Sequence, residues 1–323
     1  MDTIAVDLKE DLKNTLFRTI SARIDLIGYV PEDLARLAGS AALKATAAER
    51  PAETAEPKAP GRAGVEAQVN ELYDEIFYNK GSAMKLLLGE TEYGNFGYWN
   101  DTTRTQHQAS ERLLDTLLDF IPEKTGRILD VACGLGASTR HLLNHYPPEN
   151  VWAINISEKQ IGSVRKNAPG CNAMVMTAVD MAFEDAFFDN ILCVEAAFHF
   201  ETRRAFLESA RRILKDGGRL VMSDILLTSR ERMEQFPVFP SPDNHLSSAD
   251  EYRELLNDVG FRDVVVQDVT RDVWGAHFQH VARRAHEELF LGTLNIVQTM
   301  DILWTHYLIN AITGPCLFVS ARK

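Results

Sequence analysis

Apolar positions along this chain repeat with two different periods. Leu12, Leu16, Ile20, Ile24 and Ile27 recur at helical spacing, and Pro31-Glu32-Asp33 suits the first turn of a second short helix. From Gly39 to Gly64 large apolar residues nearly vanish, and Ala, Glu, Lys and Pro replace them. Such a stretch buries too little area to offset its ordering entropy. Residues 1–38 are therefore expected to form a helical appendage and residues 39–64 a linker. The pattern leaves open whether the appendage docks, dimerises or packs on its own domain.

Helical spacing returns at Val69, Leu72, Tyr73, Ile76 and Phe77, before the glycine and aromatic turn Tyr93-Gly94-Asn95-Phe96-Gly97-Tyr98-Trp99 and a helix over 105–120. Short apolar runs then alternate with helix-length segments. Strands are expected over 127–131, 150–156, 174–178, 190–195 and 219–224, with helices over 137–145, 158–167 and 202–214. This order argues for an α/β fold of βαβ units, in which a parallel sheet is covered on both faces. A helix over 249–259, a strand over 263–269, a long helical stretch and a last strand over 316–321 complete the chain.

Composition narrows the function. With 45% hydrophobic and 25% charged residues over 323 positions, the chain can bury a core. The 46 acidic residues outnumber the 34 basic ones, and basic residues cluster no further than Arg203-Arg204 and Arg211-Arg212. Nucleic acid and anionic membrane are thus poor partners. The first residues lack a basic segment followed by an apolar one, and no apolar run reaches ~18 residues, so a cytoplasmic protein is expected. Cys133, Cys171, Cys193 and Cys316 are far apart with no CxxC pair, which suits reduced, buried thiols.

The most informative segment is Ile128-Leu129-Asp130-Val131-Ala132-Cys133-Gly134-Leu135-Gly136-Ala137-Ser138-Thr139, a strand passing through a small-residue loop into a helix. Glycines there let a ligand approach the backbone beyond the carboxyl ends of the strands. A dinucleotide fingerprint would carry a third glycine where Thr139 stands, and Asp130 would repel a pyrophosphate. A cationic ligand suits the carboxylate better, and S-adenosylmethionine carries both a sulfonium and an ammonium group.

The loop from Leu129 to Gly136 resembles the first motif of class I S-adenosylmethionine-dependent methyltransferases, with Ala132 where glycine is usual. Ala153-Ile154-Asn155-Ile156-Ser157, the segment Phe183 to Asn190 and the turn Leu214-Lys215-Asp216-Gly217-Gly218-Arg219-Leu220 agree in order and spacing. The resemblance implies a Rossmann-like, doubly wound, mostly parallel seven-stranded sheet with an antiparallel last strand. It assigns residues 65–323 to the catalytic domain, divided into a lid over 93–126, a cofactor-binding core over 127–269 and a helical substrate cap over 270–313. For the donor and its product S-adenosylhomocysteine it implies Tyr98, Asp130, Ala132, Cys133, Gly134, Gly136, Asn155, Ile156, Gln160, Thr177, Ala178 and Glu195. Two positions depart from the family: Asn155 replaces the acid that usually meets the ribose, and Thr177 stands where an Asp often meets the adenine amino group.

Methyl transfer needs donor and acceptor held in line, and a hydroxyl acceptor must also lose a proton. The fourth strand should end at that machinery, in Cys193-Val194-Glu195-Ala196-Ala197-Phe198-His199-Phe200. It has no Asn/Asp-Pro-Pro-aromatic motif of the kind used on nucleic-acid amino groups; Tyr146-Pro147-Pro148 lies elsewhere. His199 is the expected general base, since imidazole with pKa near ~6.5 is largely neutral at pH 7. Glu195 is expected to orient it. His245 is a second base or acceptor contact, and Asp224 could hold a metal but has no matching ligand cluster, so no metal is expected. Trp274, Phe278, Val281, Ala285 and Leu289, then Leu294, Val297, Ile302 and Tyr307, repeat at helical spacing. They are either ordinary core, a dimer face, or a cap in which Trp274 and Phe278 meet the acceptor.

The segments Asn95 to Trp99, Ile154 to Ser157 and Glu195 to Phe200 together most resemble O-methyltransferase domains of modular polyketide synthases and their free-standing relatives. That likeness implies a hydroxyl acceptor, free or carried on an acyl carrier protein. N- or C-methylation of a free metabolite and a non-catalytic cofactor-binding scaffold remain the alternatives, and a homodimer through the helical segments is compatible with each.

Overall fold

The computed structural model describes residues 62–78, 91–228 and 244–323. The expected appendage 1–38 and nearly all of the linker 39–64 lie outside these residues. Helix α1 (Arg62–Tyr78) begins inside the span assigned to the linker.

Seven strands form one sheet: β1 (Ile128–Val131), β2 (Val151–Asn155), β3 (Asn172–Val175), β4 (Phe188–Val194), β5 (Leu214–Leu227), β6 (Arg262–Asp268) and β7 (Thr313–Arg322). Their order is β3-β2-β1-β4-β5-β7-β6. Strands β1 to β5 pair in parallel, and β7 runs antiparallel between β5 and β6. The order reverses at β1, so β1 and β4 leave a crevice beyond their carboxyl ends, where such sheets bind ligands. All four β1 residues are buried, as a strand covered on both faces requires.

Helices α2 (Gln106–Leu118), α3 (Ala137–Leu142), α4 (Glu158–Asn167), α5 (Arg203–Ile213) and α6 (Ala249–Val259) flank the sheet. Thr105, Ser157, Thr202 and Ser248 each cap a helix by accepting the backbone N–H three residues on, which explains why those helices start there. One core, including Leu129, Phe188, Leu207, Leu256 and Val319, fills one face of the sheet; Leu113, Leu117, Ile128, Val221 and Phe318 belong to the other.

The last helical stretch is three elements, a π-type turn over Arg271–Gly275, α7 (Ala276–Phe290) and α8 (Ile296–Ile312). Asn295 and Gln298 form a reciprocal capping box at the start of α8, which is what breaks the stretch in two. Val281, Ala285, Leu294, Ile302 and Leu303 pack the pair together as a separate small core.

Asp224, weighed as a metal ligand, is instead half of a buried ion pair. Its Oδ2 accepts from Arg203 Nε at 2.7 Å and from the Tyr252 hydroxyl at 2.9 Å, and its Oδ1 from the Ile225 amide at 2.8 Å. The guanidinium also donates to the carbonyls of Ile225 and Asn244. Three elements, α5, α6 and β5, are locked together at this point. Among the described residues all four cysteines are free thiols, and no helix is long and apolar enough to cross a membrane.

Candidate active site

The crevice beyond β1 and β4 is a cleft open to solvent, with about 1160 Å³ of empty space counted out to its mouth. Its floor is the glycine loop. Ala132 and Gly134 both adopt left-handed conformations, with φ of 59° and 53°, which turn the chain sharply out of β1. Glycine tolerates that geometry and alanine pays for it with strain, so Ala132 departs from the family at a small cost. Gly136 does not line the cavity. It has φ 88°, and a Cβ there would come within 3.0 Å of the Val164 Cα, so its role is the close packing of α3 on α4.

Asp130, the next-to-last residue of β1, lies on the cavity wall. Its Oδ2 accepts from the hydroxyls of Ser138 and Thr139, both at 2.7 Å, which ties the strand to the first turn of α3. Burial pushes its pKa up to about 6 against those two hydrogen bonds. Cys133 lines the cavity with a buried thiol whose pKa is raised by burial and by Asp130, so it is a packing group and no nucleophile.

At the end of β2, Asn155 accepts from the Ser157 amide at 2.9 Å and donates to Gln160 Oε1 at 3.1 Å. Ile156 and Gln160 line the cavity beside it. Strand β3 ends at Val175, three residues earlier than expected, so Thr177 and Ala178 sit in the loop beyond it, on the cavity wall.

Strand β4 is followed at once by Glu195, which takes a left-handed conformation with φ 47° and lines the cavity. Strain of this kind is retained where it positions a functional group. Glu195 Oε2 accepts from the Phe96 amide at 2.9 Å, while Oε1 is buried with no hydrogen-bond partner among the described residues. Burial raises its pKa to about 8, opposed by the Phe96 hydrogen bond. The carboxylate expected to orient His199 is thus committed to the Phe96 turn. The imidazole is held by another residue: Tyr73 Oη lies 2.9 Å from His199 Nε2, with the two rings edge to face at 5.3 Å. Burial, and then Glu195, pushes the Tyr73 pKa upward, so it is a neutral phenol.

Four other expected contacts fall outside the cavity. Tyr98 packs against Phe318 at 5.2 Å, and its neighbours Tyr93, Gly94 and Asn95 line the wall instead. His245 faces the Leu227 carbonyl at 3.2 Å. Trp274 is buried against Phe96 and donates to Asn310, and Phe278 packs on Tyr307 and Trp274. For these two the core reading of the helical stripe wins over contact with the acceptor. Asp115 and His145, both exposed, come together with the buried His141 elsewhere in the fold, and the group is no part of this cavity.

Helix α1 was legible as a helix and not as part of the site. Glu66, Val69, Asn70, Tyr73 and Phe77 all line the cavity, at i, i+3, i+4, i+7 and i+11. The signal was there, since Glu66 and Asn70 interrupt an otherwise apolar stripe. Along its length α1 is tied down by Asn70 to the Ile156 carbonyl, Asp74 to Ser157 and Gln160, and Tyr78 to Ser163.

This geometry agrees with the comparisons. A family model described as a methyltransferase domain matches residues 129–222. An O-methyltransferase of Penicillium expansum is 31% identical over 221 residues, which cover 64% of this chain and 76% of that protein. The chain belongs to the class I S-adenosylmethionine-dependent methyltransferases. A 27-O-demethylrifamycin SV methyltransferase of Amycolatopsis mediterranei is 30% identical over 190 residues, 57% of this chain and 63% of that one. The crystal structure of the cyclase SpnF superposes with TM-score 0.62 at 18% identity, covering 83% of this chain and 99% of that chain, which speaks for the fold alone.

The methyltransferase uses S-adenosylmethionine as its methyl donor, and the cavity fits that molecule. Its described wall carries Glu66, Glu92, Asp130, Glu195 and Glu201 and neither Lys nor Arg, which favours a cation and excludes a pyrophosphate. Two buried acceptors in the wall, Glu195 Oε1 and Asn95 Oδ1, have no hydrogen-bond partner among the described residues. An ammonium group offers the donors such atoms need.

Proposed function

We propose that this methyltransferase transfers a methyl group to a hydroxyl of a polyketide-type intermediate, free or tethered to an acyl carrier protein, with His199 as general base. The observation that carries the reading is the placing of His199 at the end of β4, on the cavity wall, with Nε2 held by the phenol of Tyr73. The O-methyltransferases among the relatives support oxygen as the acceptor atom. The apolar part of the wall, from Val69, Phe77, Met176, Val179 and Phe200, suits the carbon chain that would bear the hydroxyl.

S-adenosylmethionine, when bound, supplies an electrophilic methyl group on a sulfonium. The residues of the chain do the rest. Asp130 holds the glycine loop open, and Glu195 and Asn95 present acceptor oxygens toward the donor's cationic end. Tyr73 fixes the imidazole plane. His199 takes the acceptor's hydroxyl proton as the new carbon–oxygen bond forms, which raises the oxygen's nucleophilicity when the barrier is highest.

The test is His199→Gln, which preserves hydrogen bonding without basicity. Turnover should fall about 10²–10⁴-fold, while calorimetric binding of S-adenosylhomocysteine is unchanged. Unchanged turnover rejects His199 as the base. Methylation confined to amines, in a panel of hydroxyl, amine and carbon acceptors, rejects the hydroxyl.

A further inference from the structure

At the two places where the chain lacks an expected acid, helix α1 delivers a carboxylate: directly to Thr177 at the adenine end, and through Gln160 and Ser157 to Asn155 at the ribose end. Thr177 Oγ1 donates to Glu66 Oε1 at 2.8 Å, and Glu66 lines the cavity. At the other end, Asp74 Oδ1 accepts from Gln160 Nε2 at 3.3 Å and from Ser157 Oγ at 3.4 Å. Gln160 Oε1 in turn accepts from Asn155 Nδ2 at 3.1 Å. Glu66 and Asp74 are eight residues apart, a rise of about 12 Å along the helix, and each reaches the end of a different strand.

We propose that α1 supplies the acids that β2 and β3 lack: Glu66 is the acceptor for the adenine amino group, and Asp74 is a positioning residue that holds Asn155 for the ribose hydroxyls through Gln160. The chemistry follows from what each group can do. An exocyclic amino group is a donor, and a carboxylate is the strongest acceptor a side chain offers it. Thr177 alone, with one hydroxyl, is a weaker partner, and in contact with Glu66 it shares the same acceptor site. At the ribose end an uncharged amide must be held in one of two flip states to present a fixed donor and acceptor. Asp74 accepts only, so it orients the Gln160 amide with nitrogen toward itself and oxygen toward Asn155. That in turn fixes Asn155 Nδ2 toward Gln160 and Oδ1 toward the Ser157 amide. Recognition of the donor is thus split between the sheet and a helix that precedes it in sequence by some eighty residues or more, as the separations of 86 for Asp74–Gln160 and 111 for Glu66–Thr177 show. The inference concerns the donor end of the cavity and is independent of which acceptor is methylated.

The test reads ligand discrimination by calorimetry, with no turnover required. S-Adenosylhomocysteine is compared with its inosine analogue, whose 6-oxo group cannot donate, and with its 2′-deoxy analogue, on the full-length protein. Wild type should bind the inosine analogue about tenfold or more weakly than the parent, and Glu66→Gln should shrink that gap, because an amide can donate to the 6-oxo group. Asp74→Asn should shrink the gap between parent and 2′-deoxy analogue while leaving the adenine preference intact. Each readout is a ratio of two ligands on one variant, so a general loss of fold cannot imitate it. If either variant binds nothing, Glu66→Asp or Asp74→Glu, which keep the charge, should retain the corresponding ratio. Equal weakening toward all three ligands, or wild-type ratios in both Glu66→Gln and Asp74→Asn, would overturn the proposal. Failure of wild type to bind S-adenosylhomocysteine at all would instead strike the donor assignment.

Discussion

His199 and Glu195 stand four residues apart at the end of β4, and the structure gives them separate partners, Tyr73 for the imidazole and Phe96 for the carboxylate. Sequence spacing suggested that they touch. The difference arises because Glu195 adopts φ 47°, a turn that no propensity of glutamate predicts, and the 3₁₀ turn Ala197–His199 then aims the ring toward α1. Tyr73 is therefore a positioning residue, and Tyr73→Phe should lower kcat about tenfold through loss of one hydrogen bond to the base. KM for the donor should stay near wild type, and the acid limb of the kcat–pH profile should shift, since the partner of the imidazole has gone. A KM effect with unchanged kcat would assign Tyr73 to binding.

At the scale of elements, the ion pair of Arg203 and Asp224 joins α5, β5 and α6 from within the core. Asp224→Asn leaves the guanidinium buried beside a neutral group, and should cost about 3–5 kcal/mol in urea unfolding; a loss below about 1 kcal/mol would show that water reaches the pair. The alternation of strands and helices was legible in the sequence because parallel strands read as short apolar runs, and the glycine loop marked the crevice. The roles of the outer helices were not. Trp274 and Phe278 lie on an apolar stripe, and a stripe is the same whether it covers a ligand or a sheet. Tyr98 shares its aromatic segment with Tyr93, and the segment is held by long-range bonds, Phe96 amide to Glu195, Tyr98 amide to the Ala109 carbonyl and Trp99 amide to the Asp272 carbonyl, that local pattern does not show. Helix α1 reaches Ser157, Gln160 and Thr177 by tertiary docking, which local pattern does not encode.

Across the whole molecule, buried titratable groups set opposing pH slopes. Burial holds the pKa of His280 down at about 4 and lowers those of His277 and His306. The unfolded chain takes up protons below about 6.5, so this part of the stability is present above that pH and is lost as pH falls. Asp130 and Glu195 act with the opposite sign. Their folded pKa values, about 6 and about 8, exceed the ordinary 3.8 and 4.5, so the stability they keep by staying neutral is lost as pH rises. Above pH 6.5 the Glu195 contribution dominates these five. The Tm of the ligand-free protein should fall from pH 6.5 to 8, and Glu195→Gln should remove most of that fall; an unchanged slope in the variant would show that Glu195 ionises freely.

Five of the acids counted in the formal net charge of −12 line the cavity, with Glu195 among them protonated near neutral pH while the site is empty. The most direct test of the whole account is mass spectrometry of purified protein incubated with S-adenosylmethionine and β-hydroxyacyl thioesters, free and carrier-bound, beside matched amine and carbon acceptors. The account predicts one methyl group added to the hydroxyl oxygen, and product formed about 10²–10⁴-fold more slowly by His199→Gln. Methyl transfer to nitrogen or carbon with the hydroxyl untouched would contradict it.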